Sequence, residues 1–200
     1  MAIFRGPNIV KDGLVFHLDA ANTKSYPAAG STWYDLSGNG NDHTITNSPT
    51  FSNGAFTINE TQSFTRSSMP TNNTNCTVLL FYKTTDTQEL WVRGNSGSFY
   101  VAASYSNGNY YNDNVGSPTY YVDTLTTTNP NTPINYRNGD YHMWEAKNVN
   151  FSAWNQLNWF GYGSSWNMNG TVAYIALYDR ALTATESLQN YNALKSRFGI

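Results

Sequence analysis

Turn-forming residues cut the apolar part of this chain into short pieces, and that punctuation limits its fold more than any other feature. Leu14–Ala20 alternates, with Leu14, Phe16 and Leu18 on one face of a strand. Ala55–Asn59 and Gln62–Arg66 are short alternating runs that read as a hairpin or as successive sheet edges. Glu89–Arg93 and Ser98–Ser104 flank Gly94–Gly97, a hairpin turn signal. Tyr141–Ala146 and Leu157–Gly161 continue the strand pattern, and Asn169 with Gly170 turns the chain into the apolar run Thr171–Tyr178. Cys76–Thr84 is almost continuously apolar, which predicts a central strand buried on both faces. Two stretches read as long loops: Asn22–Pro49, rich in Gly and Asn, and 105–140, where only Thr119–Val122 has strand character.

One helix is signalled. Thr183 and Glu186 have capping-box spacing, and Leu188, Tyr191, Leu194 and Phe198 recur at helical intervals before Gly199. A single apolar stripe implies that this helix, 184–198, docks on a sheet edge or a partner. Many short strands and one terminal helix predict an all-β domain: a two-sheet antiparallel jelly-roll sandwich with one C-terminal α-helix. Residues 1–12 form an N-terminal arm, and 13–200 form a single sandwich domain that includes the helix.

Composition excludes several classes. Charged residues make up 12% of the 200 and aromatic ones 16%, the reverse of a disordered chain. The net charge is −2, and Lys83, Arg93 and Arg137 stand singly, so the basic stripe of a nucleic-acid-binding module is missing. One cysteine, Cys76, permits no intrachain disulfide and reads as a small buried side chain. With His17, His43 and His142 it has no zinc-ligand spacing. Met1–Val10 lacks the apolar run of a signal peptide, and no run is long enough for a transmembrane helix. The expectation is synthesis in a cytoplasm without membrane insertion.

Three blocks resemble a known family. Gly13–Ala21 is similar to the opening strand of concanavalin A-like (laminin-G-like) domains, Trp33–Asp42 to their Asp-x-Ser-Gly-Asn-Gly-Asn turn, and Gly170–Thr183 to their final strand and the Arg-Ala-Leu that follows. Together the blocks bracket nearly the whole chain. The short leader and the ending Tyr191–Ile200 resemble structural proteins of tailed bacteriophages. That resemblance implies a non-enzymatic virion protein with a lectin-like domain, as a capsid decoration or a baseplate or tail component. It further implies a virion address, other virion proteins as partners, and a homo-oligomer or multi-copy arrangement in which the arm anchors on a neighbour. The alternative it implies is a receptor-binding adhesin for host surface glycans.

The chemistry-bearing residues point to recognition. Glycoside hydrolysis, the least favoured reading, needs two facing carboxylates, and no Glu-x-Asp-x-Glu strand occurs. No Gly-x-Ser-x-Gly elbow is present, and His17 and His142 read as hydrogen-bonded sheet residues, so no catalytic residue is assigned. Sugar rings stack on Trp and Tyr, while Asn and Asp bind their hydroxyls. Tyr105, Tyr110, Tyr111, Asp113, Trp154, Tyr162 and Trp166 are the candidate ligand-binding residues on these grounds, and a protein partner fits such loops equally well. The turn Asp35–Asp42 is oxygen-rich enough to be a candidate calcium site, although the favoured reading is that Asp35 and Asn39 simply fix the turn by side-chain-to-backbone bonds. No metal ligand is carried over from the family.

Overall fold

The computed structural model describes residues 7–59, 61–86, 89–94, 100–104, 110–127, 136–160 and 168–200. The strands are β1 (Leu14–Asp19), β2 (Thr32–Trp33), β3 (His43–Thr46), β4 (Thr50–Ser52), β5 (Ala55–Ile58), β6 (Ser63–Arg66), β7 (Cys76–Thr84) and β8 (Glu89–Arg93). They continue as β9 (Tyr100–Ser104), β10 (Tyr110–Asp113), β11 (Thr119–Val122), β12 (Leu125–Thr127), β13 (His142–Val149), β14 (Leu157–Trp159) and β15 (Gly170–Tyr178). The helix α1 (Ala184–Leu194) follows and ends in a 3₁₀ turn, Lys195–Arg197.

Two antiparallel sheets result. Sheet I has eight strands in the order β12-β11-β13-β7-β15-β5-β4, with β1 also paired to β15. Sheet II has seven, β10-β9-β8-β14-β6-β3-β2. This is a two-sheet antiparallel β-sandwich with, among the described residues, one short C-terminal α-helix.

Strand alternation separates two cores. Val78, Leu80 and Tyr82 of β7 point between the sheets, where they join Phe16, Leu18, Trp33, Phe56, Phe64, Trp144 and Trp159. Leu79 and Phe81 point the other way, into a cluster with Met143, Tyr174, Tyr178, Leu182 and Leu194. Both faces of β7 are thus buried, as its sequence predicts. In β15 the inward set steps from Val172 to Ile175 and Leu177, because a bulge between Val172 and Tyr174 inserts one residue.

The outer face of sheet I is covered by α1 and by residues 8–10. Thr183 caps the helix, accepting from the Glu186 N–H, while the Glu186 carboxylate accepts from the Thr183 N–H. The docked face departs from the expected apolar stripe at Leu188; Leu194 is buried, and Tyr191 and Phe198 pack on the same outer cluster. Ser187, Asn190 and Leu194 are buried, Leu188 is exposed, and the α-helix stops at Leu194 rather than 198. Hydrogen bonds decide this. Ser187 Oγ donates to Glu145 Oε1 (2.9 Å), Asn190 Nδ2 to the Tyr178 hydroxyl (3.1 Å), and the Val10 N–H to Asn190 Oδ1 (2.8 Å). Residues 8–10 therefore dock on the domain itself: Val10 is buried, and Asn8 O accepts from Gln189 Nε2. Two forked pairs fix the ends. Arg197 spans both carboxylate oxygens of Asp19 (2.6 and 2.7 Å), and Arg180 spans those of Glu186 (2.6 and 3.0 Å).

Other boundaries also differ. The stretch Asn22–Pro49 carries β2 and β3, and 105–140 carries β10 and β12 beside β11. β5 and β6 enter different sheets rather than forming a hairpin. These strands have two to four residues each, too few to show a period.

Candidate ligand-binding face

With sheet I covered on its outer side, the outer side of sheet II is the face to inspect. Its register aligns one residue per strand. Thr32 pairs with Thr44, Thr44 with Thr65, Thr65 with Asn158, Asn158 with Arg93, Arg93 with Tyr100, and Tyr100 with Asp113. Directly paired residues in antiparallel strands share a face. The result is one polar row, Thr32-Thr44-Thr65-Asn158-Arg93-Tyr100-Asp113, across all seven strands. The alternate residues Ile45, Phe64, Trp159, Val92 and Val101 are buried in the core, which fixes the row as outward. Thr44 is exposed, Arg93 is 4% exposed, and the other five are half-buried. Hydroxyls, an amide, a guanidinium, a phenol and a carboxylate thus stand side by side at strand spacing.

The residues expected from sequence fall partly on this face. Asp113 ends the row. Tyr110 and Tyr111 lie with it on β10, paired with Ser104 and Ala103, so this segment is an edge strand rather than a loop. Tyr105, Tyr162 and Trp166 lie outside the described residues. Trp154 is 5% exposed; its ring packs edge-on against Phe151 and its Nε1–H donates to Asn114 O (3.2 Å). It thereby ties the 150s segment to the residue following Asp113, with little of the indole facing solvent. Thr44, Thr65, Asn158 and Arg93 were not singled out by sequence reasoning, because only the strand order reveals that they are neighbours.

The histidines are bound up in the fold. His43 is buried; its Nε2 accepts from the Trp159 Nε1–H (3.1 Å), and its Nδ1 faces Asn41 O (3.0 Å). Burial lowers its pKa from 6.5 to about 4. Burial, helped by Lys11, also lowers that of His17, which packs beside the Tyr174 ring. His142 Nδ1 lies 2.6 Å from Asp123 Oδ2, while Asp123 Oδ1 accepts from the Met143 N–H. Cys76 is buried, and burial pushes its thiol up to about 12, away from the range of a reactive thiolate.

The oxygen-rich turn is knit by one carboxylate. Asp35 Oδ1 accepts from the backbone N–H groups of His17 (3.1 Å) and Ser37 (2.8 Å). Its Oδ2 accepts from Ser37 Oγ (2.7 Å) and the Asn41 N–H (3.0 Å). A carboxylate has about four lone-pair sites, so a cation here would have to displace bonds already made. Asn39 and Asn41 donate from their side-chain amides to Val15 O. Among the described residues, no group of three His, Cys, Asp or Glu side chains is gathered for a metal.

No family model matches this sequence, and no curated relative does. Solved structures share its fold. Domain 4 of AbnA, a GH43 extracellular arabinanase from Geobacillus stearothermophilus, solved in complex with arabinotriose, matches with a TM-score of 0.60 at 13% identity, over 89% of this chain and 98% of that domain. Trypanosoma rangeli sialidase matches with a TM-score of 0.57 at 14% identity, over 92% of this chain but only 33% of its own length. At such identities the likeness concerns the fold. It nevertheless corrects the expectation of a non-enzymatic virion structural protein: this sandwich is shared with parts of carbohydrate-active proteins, and neither match is a phage protein.

Proposed function

We propose that this chain is a glycan-recognising domain of the kind built into carbohydrate-active proteins, and that the outer face of sheet II is its binding surface. The observation that carries the reading is the seven-strand polar row, on the opposite side of the molecule from the helix-covered face. Strands lie about 4.8 Å apart, so the row spans roughly 29 Å. That suits an extended oligosaccharide, whose hydroxyls can be met in turn by Thr44, Thr65, Asn158, Tyr100 and Asp113. The arabinanase domain, solved with an arabinose oligomer, makes arabinan the first ligand to try. The row holds a single carboxylate, Asp113, whereas glycoside hydrolysis uses two across the bond being cut, so recognition rather than cleavage is the role inferred.

Affinity electrophoresis of the full chain through gels containing arabinan, other plant and bacterial polysaccharides, or none, tests this. Retardation is expected in at least one. Asn158→Ala and Tyr100→Ala are each expected to weaken it about tenfold, equal to about 1.4 kcal/mol. Leu188→Ala, on the helix side, should leave it unchanged. Undiminished retardation in both row variants, with unchanged circular dichroism, would remove the row as the site. No retardation in any gel would remove the glycan reading.

A further inference from the structure

A second site lies on the other sheet, where β13 passes beneath the start of α1. A cavity of about 250 Å³ opens there, walled by Tyr121, Thr124, Lys147, Asn148, Ala184 and Ser187. The backbone creates it. The register between β13 and β7 shifts between Ala146 and Val149, and Asn148 sits at a φ of 60°. Such a bulge bends the strand locally and re-aims the side chains beside it.

Lys147 dominates the electrostatics. It is 6% exposed, yet its ammonium has few partners. Nζ lies 3.5 Å from Glu145 Oε2 and 4.5 Å from the centre of the Tyr121 ring. An ammonium has three N–H donors, and the 3.5 Å contact with Glu145 is an ion pair rather than a close hydrogen bond. Glu145 Oε2 is itself buried without a hydrogen bond. Burial pushes the Glu145 carboxyl up to about 7, against the opposing pull of Lys147 and Ser187. At and below neutral pH it therefore leaves much of the lysine's charge uncompensated. The opposite wall is the first turn of an eleven-residue helix, whose N-terminal end carries partial positive charge. A buried lysine and a helix start converge on one cavity that also offers the Thr124 hydroxyl and the Asn148 amide.

We propose that this cavity binds a small hydroxylated carboxylate, its carboxyl group held by Lys147 and the start of α1. A single ammonium matches a monoanion, whereas a phosphate dianion is usually met by several donors of the arginine or backbone-nest type. The volume admits one sugar acid or a smaller acid, not a chain. The same chemistry could come from a free acid or from a uronic-acid residue ending a glycan.

Nuclear magnetic resonance titration of the full chain with sodium acetate, D-glucuronate and D-glucose tests the assignment. Saturable shifts are expected at Lys147, Ser187 and Ala184 with both carboxylates and none with glucose, at affinities on the order of 1 mM. Glucuronate binding tenfold tighter than acetate would identify a sugar acid as the occupant; equal affinities would identify a small free acid. Lys147→Met and Ala184→Leu should each weaken binding at least tenfold. The second variant fills the cavity from an exposed helix position and leaves the lysine–glutamate pair intact, so it stands if the first fails to fold. Absence of saturable shifts with either carboxylate, equal shifts with glucose, or full affinity in Ala184→Leu would overturn the proposal. Asn158→Ala, on sheet II, should change nothing here, which keeps this result separate from the glycan test.

Discussion

Glu145→Gln is expected to stabilise the protein by about 3 kcal/mol above pH 7 and to have no effect at pH 4.5. The carboxyl of Glu145 is raised from 4.5 to about 7, chiefly by burial under Ser187 of α1. Between those values the folded chain holds a proton that the unfolded chain releases. The stability this contributes is complete below pH 4.5 and is lost as the pH rises through 7. A glutamine has no proton to lose. It can turn its oxygen towards Lys147 and its amide towards Ser187, whose own hydroxyl can donate to Thr183 O. His43 acts in the opposite sense over nearly the same range. Its pKa falls from 6.5 to about 4, so its contribution is complete above pH 6.5 and is lost as the pH falls towards 4. In the parent the slopes of Glu145 and His43 largely cancel between pH 4.5 and 6.5, so that His17 sets the remaining rise of the urea midpoint with pH. Removing Glu145 unmasks the histidine. The variant should lose about 3 kcal/mol from pH 7 to pH 4, with His17 adding to the same slope. Parallel urea curves for parent and variant at every pH would show that Glu145 keeps an ordinary pKa in the folded state.

What the sequence disclosed, and what it concealed, divide along one physical line. β7 and β15 were legible because burial on both faces demands near-continuous apolar residues, a property of each segment by itself. The Thr183–Glu186 cap was legible for the same reason, since its partners are three residues apart. The polar row was not. Thr44, Thr65, Asn158 and Arg93 meet only because β8 pairs with β14, β14 with β6 and β6 with β3, and nothing local in a threonine or asparagine announces its neighbour across a sheet. The helix register was concealed in a different way. Leu188 looks like a core position by spacing, yet buried hydrogen bonds from Ser187 and Asn190 turn it to solvent. Tertiary polar contacts override periodicity here, because an unpaired buried polar group costs more than an exposed leucine. Of the aromatic residues nominated for ligand binding, Trp154 shows the matching ambiguity. Tryptophan on a turn-rich segment serves a sugar or a core equally well, and here its ring packs on Phe151.

Asp35→Ala should cost on the order of 4 kcal/mol and should loosen the end of the sandwich where β1 meets the turn before β3. Four donors converge on this carboxylate, and three are backbone N–H groups, from His17, Ser37 and Asn41. Alanine leaves all three without their acceptor, and each unmet, partly buried donor costs about 1–3 kcal/mol. The consequences spread along the chain. His17 belongs to β1, and the same turn carries the Asn41 amide that binds Val15 O and the Asn41 carbonyl that faces His43. His43 in turn receives the Trp159 Nε1–H in the core. Asp35→Asn separates charge from geometry: one oxygen remains to accept, but an amide now faces donors, so a loss of about 2 kcal/mol is expected. Hydrogen exchange should locate the damage, with protection lost first at His17, Ser37 and Asn41 and retained at Leu79 and Leu80 of β7. Calcium supplied to the parent should leave its melting temperature unchanged, since the lone pairs a cation would need at this turn are engaged by protein donors. A calcium-dependent rise, abolished in Asp35→Ala, would show instead that the ion outcompetes those bonds and that the turn is a metal site.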